Sequence, residues 1–189
     1  MTPTQTALIG LIGIGIGALL VGVINAAVGR YAAFKESQAL AAALRVDLED
    51  LLRAGEAYDL VAQLAQTIAY LKAGAGTPAP DDFYDMIGER QECLVFQANC
   101  AKIGLLASVA GPVVAAYSSF LTAREGLFGA GERHRRQPMT RPQLIHVHET
   151  TRTFLLNATE RAKVAVEKLK DHERRWWLTS ILTGLGAGR

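Results

Sequence analysis

His146, His148 and Glu149 put two imidazoles and a carboxylate within four positions, residue types that hold zinc. On a helix, positions two apart point to nearly opposite sides, so the two imidazoles do not share one ion. His146 with Glu149 supplies two ligands, fewer than a protein zinc site uses. Cys93 and Cys100 are seven apart, on one helix face, without the CxxC spacing of a redox or zinc motif. They read as small buried hydrophobes and free thiols. The glycine-containing stretch GAGERHRR lacks the spacing of a phosphate-cradling loop, and neither GxSxG nor HExxH occurs. No catalytic residue, metal or cofactor is assigned, and no enzymatic activity is expected.

One two-residue pattern stands apart. Arg141 and His146 have the R-x4-H spacing that resembles the catalytic motif of helical HEPN-type ribonucleases, which implies RNA cleavage as an alternative function. In that family a polar residue usually follows the arginine; Pro142 stands here.

Whatever the chain does, the run ALIGLIGIGIGALLVGVINAAVG, residues 7–29, must position it. A spanning helix needs about 20 apolar residues. The preceding MTPTQT has no basic residue, and the run exceeds the apolar core of a signal peptide. Both point to an uncleaved transmembrane helix after a short exoplasmic tail, residues 1–6. Arg30 and Lys35 follow the run and nothing basic precedes it. The positive-inside bias therefore predicts the N-terminus outside and the body in the cytoplasm, at a bacterial inner membrane. Gly13 and Gly17 form a GxxxG pair, Ala18, Gly22 and Ala26 a second small ladder, and Gly15, Gly22 and Gly29 a seven-residue repeat. Small residues let membrane helices approach closely. The expected partners are the bilayer, further copies of the chain, and other subunits of a membrane complex.

A second uncharged stretch covers residues 103–123. Gly111-Pro112 interrupts it, since the residue before proline is pushed out of helical geometry. Val113, Val114, Tyr117, Phe120 and Leu121 then recur at helical spacing, as in a buried amphipathic helix. Membrane entry of this stretch is the competing reading.

The rest is poor in β-branched clusters and strict alternation, so the fold class is all-α: one N-terminal transmembrane helix, a cytoplasmic helical bundle over 30–128, and a long C-terminal helix. The first soluble helix buries Phe34, Leu40, Leu44, Val46, Leu48, Leu51 and Leu52 and ends near Gly55. A second covers Glu56 to Lys72, and the short turn predicts antiparallel neighbours. AGAGTPAP is a linker, and Asp81 and Asp82 cap a short segment through Met86. A helix over Arg90 to Ala101 breaks at Gly104; the following one ends near Leu127. Residues 129–141 read as a basic Gly/Pro linker. The last helix, 142–178, starts at Pro142. Leu144, His148, Leu155, Ala158, Ala162, Ala165 and Leu169, with Thr151 and His172, recur at steps of four and three, a heptad seam. The spacing leaves open whether this seam lies along its own bundle or against another subunit.

Residues 30–123 carry 7 basic and 11 acidic side chains, residues 124–189 carry 13 and 7. Beside a membrane tether, lipid headgroups are the simplest partner for the basic half. No nucleic-acid platform accompanies it, so nucleic acid is not an expected partner. Arg174, Arg175, Trp176 and Trp177 suit contact with the membrane surface, with a tryptophan core plug as the competing reading. A Gly-rich tail, 179–189, follows.

Phe96, Asn99, Lys102-Ile103-Gly104-Leu105-Leu106, Val113-Val114 and Tyr117, together with FKESQALAAALRVDLEDLL, are similar to a pattern in a broad set of uncharacterised bacterial proteins with one N-terminal span and a helical cytoplasmic body. The resemblance covers roughly residues 7–125 and implies no activity, cofactor or site residue. The expected function is a self-associating, membrane-anchored scaffold or interaction protein. The alternatives are a membrane-permeabilising effector in phage or plasmid conflict, an accessory subunit of a larger membrane complex, and the ribonuclease above.

Overall fold

The structure, a computed structural model, describes residues 3–74, 76 and 93–175, with side-chain surroundings from residue 14 onward. Among the described residues it is helical, without strands. The chain divides into two compact units, residues 1–39 with 175–189, and residues 40–174. The caps expected at Asp81 and Asp82, the start of the helix at Arg90, Trp176, Trp177 and the Gly-rich tail lie outside the described residues.

Helix α1, Pro3–Ala57, begins in the first unit and continues into the second. In the first unit its described side chains are exposed through residue 33. Gln38 Nε2 donates to the Arg175 carbonyl at 3.2 Å, which holds the start of the C-terminal segment against the helix.

In the second unit, α1 presents Leu40, Ala41, Leu44, Leu48 and Leu51 to the core. Residues three and four apart share a helix face, so this spacing alone makes a buried stripe. Helix α2 covers Leu60–Lys72, α3 Leu94–Asn99, and a 3₁₀ segment Cys100–Val109. Helix α4 is Ala110–Arg136 and α5 is Arg141–Arg174. The core forms three successive clusters. The first joins the α1 stripe to Ile103, Leu106, Tyr117, Ala162, Ala165 and Leu169. The second joins Leu64, Ala123 and Leu155. The third joins Leu71, Leu127, Ala130 and Leu144. Residue numbers rise along α1–α2 and α4 while they fall along α5. The body is thus a three-rod bundle, with α1–α2 and α4 parallel and α5 antiparallel to both.

This arrangement corrects the expectation that α1 and α2 double back on each other. Only Tyr58 and Asp59 separate them. Asp59 adopts φ 45°, ψ 43°, and its carbonyl accepts the Gln63 N–H at 3.0 Å, so helical bonding resumes at once. A single left-handed residue kinks a rod, and aspartate is among the few residues that adopt it readily.

The basic linker expected over 129–141 is helix as far as Arg136, past the predicted end near Leu127. Gly126, Gly129 and Gly131 each weaken a helix by about 1 kcal/mol relative to alanine. Leu127, Ala130, Gly131 and His134 are nevertheless buried, and this continued burial offsets the propensity loss. The connection is Gln137–Thr140. His134 Nδ1 accepts the Met139 N–H at 2.8 Å, and Gln143 Oε1 accepts the Thr140 N–H at 2.8 Å. The Thr140 hydroxyl also donates to Gln143 Oε1 at 3.0 Å, so Gln143 supplies the reach-back half of a capping box at the start of α5.

Gly111-Pro112 does not interrupt the helix there either. Pro112 is the third residue of α4, where a missing N–H has no intrahelical partner to lose. The break falls at Ala107, not Gly104: Ala107 has φ 48°, ψ −117°, a strained backbone for a residue with a Cβ.

Where α1 enters the body, Arg45 links α1 to α5. Its Nε donates to Glu173 Oε1 at 2.7 Å and its Nη1 to Glu49 Oε2 at 3.0 Å, with Lys170 Nζ 3.6 Å from Glu49 Oε1.

Candidate functional site

Two helical stretches are long and apolar enough to cross a membrane, within Ile14–Lys72 and Leu94–Arg136. Their surroundings differ. The apolar window of the second is 39% buried inside the body, that of the first 0%. Ile14, Leu19 and Val28 are 75%, 70% and 62% exposed. At roughly 100° per residue, Ile14, Leu19, Leu20, Val21, Val23, Ile24 and Val28 cover roughly 220° of the circumference of α1, and Gly15, Ala18, Gly22, Ala26 and Gly29 lie in the remaining sector. An apolar face this wide belongs in lipid or in a protein core. The chain itself supplies no core for it among the described residues.

Gly15, Gly17, Gly22 and Gly29 lie along this stretch with no atom within 4 Å of where a Cβ would stand. Ala18 and Ala26 are likewise exposed. Gly13 lies in α1 ahead of the residues whose surroundings are described.

The seam residues of α5 are placed differently. Leu144, His148, Leu155, Ala158, Ala162, Ala165 and Leu169 are all buried, as are Thr151 and His172, and α5 packs against α4, α2 and the 3₁₀ segment of its own chain. Arg174 and Arg175 are exposed.

His148 Nδ1 is 2.8 Å from the Leu144 carbonyl, to which its N–H donates. Burial pushes the imidazole below its ordinary value, with the Leu144 contact opposing. The unfolded chain therefore takes up a proton, near pH 6.5, that the folded chain refuses. Stability from this group is complete above that pH and falls as the pH drops toward the depressed value, by up to about 1.4 kcal/mol per pH unit for one proton. Urea midpoints measured at pH 7.5 and 5.5 should fall on acidification, and His148→Leu should reduce that fall. An unchanged fall in the variant would remove His148 from the account.

Tyr117 and Asp47 form a polar pair within the core. Tyr117, fully buried, donates its hydroxyl to Asp47 Oδ2 at 2.6 Å and stacks on Phe96 with ring centroids 4.2 Å apart. Burial raises the Asp47 carboxyl above its ordinary value, and the Tyr117 hydrogen bond opposes the shift. Burial pushes the Cys93 thiol up to about 11, so it is protonated near neutral pH. Cys100, seven residues on, is exposed, so the expectation of a buried thiol fails there.

The residues singled out for chemistry are scattered. Glu149 accepts from Lys72 Nζ at 2.7 Å. His146 is exposed, and Arg141, at the first residue of α5, donates from Nη2 to the Gly74 carbonyl at 2.9 Å. Five residues apart, Arg141 and His146 are turned from each other by roughly 140° on one helix.

No family model, curated protein or solved structure matches this chain.

Proposed function

We propose that this chain is a non-catalytic, single-pass protein of the bacterial inner membrane that self-associates through α1 and presents its helical body to the cytoplasm. The observation that carries this reading is the exposure of apolar side chains on α1 from Ile14 to Val28. Burial of such a surface contributes roughly 25 cal/mol per Å², far too much to leave in water. Arg30 and Lys35 directly after it argue for the body on the cytoplasmic side. The unobstructed glycines give neighbouring helices room for backbone contact. The buried placement of Leu94–Arg136 core residues such as Tyr117 supports one span over two. A protonated Cys93, a Tyr117-bound Asp47 and a Gly74-bound Arg141 support a body without catalysis.

The test is native mass spectrometry of the full-length protein, gently extracted from membranes. A single homo-oligomer is expected. Replacing Gly13, Gly17 and Gly22 together by leucine should reduce it to monomer. An unchanged oligomer in that variant would sink packing through the glycines. A mass accounted for only by other chains would make this an accessory subunit instead.

A further inference from the structure

The kink at Tyr58–Asp59 leaves an opening in the body. At that level lies a cavity of about 190 Å³, between the first and second core clusters. Gly55, which has no side chain to fill the space, forms part of its wall. Leu52, Leu60, Phe120 and Leu155 line it from α1, α2, α4 and α5. An engineered apolar cavity of about 150 Å³ stays dry and takes benzene, so this one holds roughly eight non-hydrogen atoms.

One wall is not apolar. Arg124 lines the cavity, half-buried, with its guanidinium carbon 5.4 Å from the Phe128 ring centroid. Among the described residues no carboxylate forms an ion pair with it. A charge taken partly out of water without a counter-ion is costly. Glu56 and Asp59 also border the cavity, but both are exposed and screened by solvent and salt. Arg124 is thus the one half-buried charge among the described lining residues; at the Cys93 thiol of the same cavity it favours the ionised form, against burial and the stronger opposing effect of Asp47.

We propose that this cavity binds a short monocarboxylate with an apolar tail, its carboxylate on the Arg124 guanidinium and its tail among Leu52, Leu60, Phe120 and Leu155. The cation selects an anionic head through a charge-assisted hydrogen bond. The apolar walls accommodate a chain of about six carbons, by the volume above. All of its lining residues belong to the second unit, outside the glycine-bearing stretch of α1.

The chain contains its own reporters: Cys93 lines the cavity and Cys100 lies on the surface. Full-length protein in lipid nanodiscs is treated with a small methanethiosulfonate, and modification of each cysteine is followed by peptide mass spectrometry. At saturation, hexanoate should slow Cys93 modification by about tenfold and leave Cys100 unchanged, as protection by a bound ligand follows site occupancy. Hexanol should protect Cys93 only at higher concentration. Arg124→Gln should erase the preference for hexanoate over hexanol, and Arg124→Lys should keep it. Hexanol protection in Arg124→Gln shows that the cavity is still formed. Equal effects on both cysteines, no protection of Cys93, or an undiminished hexanoate preference in Arg124→Gln would each overturn the proposal.

Discussion

Replacing Tyr117 by alanine should destabilise the body by about 4 kcal/mol, the scale on which a buried aromatic ring is lost to a cavity. The ring is fully buried at the centre of the largest cluster and stacks on Phe96. A domain of this size is stable by about 5–15 kcal/mol, so the variant approaches the unfolding threshold. Tyr117→Phe separates ring from hydroxyl. It keeps the stack and deletes the 2.6 Å bond to Asp47, with an expected loss of about 1 kcal/mol because Asp47 retains access to water. Without that donor the Asp47 carboxyl should titrate still higher. Thermal melting of the full-length protein, read as loss of helical circular dichroism, checks both variants. Equal losses for phenylalanine and alanine would mean that the hydroxyl, and not the ring, carries the stabilisation.

Ala162→Leu should cost about 3 kcal/mol, near the upper end for overpacking a core. Ala162 is fully buried in α5, in the cluster shared with α4 and α1. Alanines at 158, 162 and 165 let the backbones of α4 and α5 approach closely along this face. Leucine and alanine are both good helix formers, so the loss isolates packing from propensity. Val164→Leu, two residues along on the exposed face, is the control and should stay within about 0.5 kcal/mol of the natural protein. Urea midpoints at constant slope measure the difference. If both substitutions behave alike, the tight α4–α5 contact is not what holds the body together.

The helical class was legible because apolar residues recur every three or four positions through most of the chain. So was the buried side of α5, since its spacing is a property of one helix and needs no partner. What failed to show in the sequence depends on tertiary context. Three glycines between Gly126 and Gly131 read as a helix end, yet Leu127 and Ala130 keep their places against Leu71 and Leu144. The T-x-x-Q capping pair at Thr140 and Gln143 was the available signal for the true boundary. Gly111-Pro112 read as a break because proline disrupts helix interiors; its tolerance at a helix start depends on knowing where that start is. Ala107 at positive φ carries no sequence signal, because alanine is the residue least expected to end a helix. The cavity was equally hidden. Leu52, Leu60, Phe120, Arg124 and Leu155 are far apart in sequence, and only the kink at Asp59 brings an opening to their level.

The antiparallel setting of α1 and α5 also decides how the body responds to force. The chain enters at Leu40 and leaves at Arg174, with Arg45 and Glu173 joined at that same end. A pull between the two exits loads the helices as a zipper: the Arg45–Glu173 pair yields first, and the apolar contacts then part turn by turn instead of shearing all at once. Forced opening is governed by the height of successive barriers rather than by total stability. Tension between Leu40 and Arg174 should therefore open the body at a lower force than tension that shears the helices along their length.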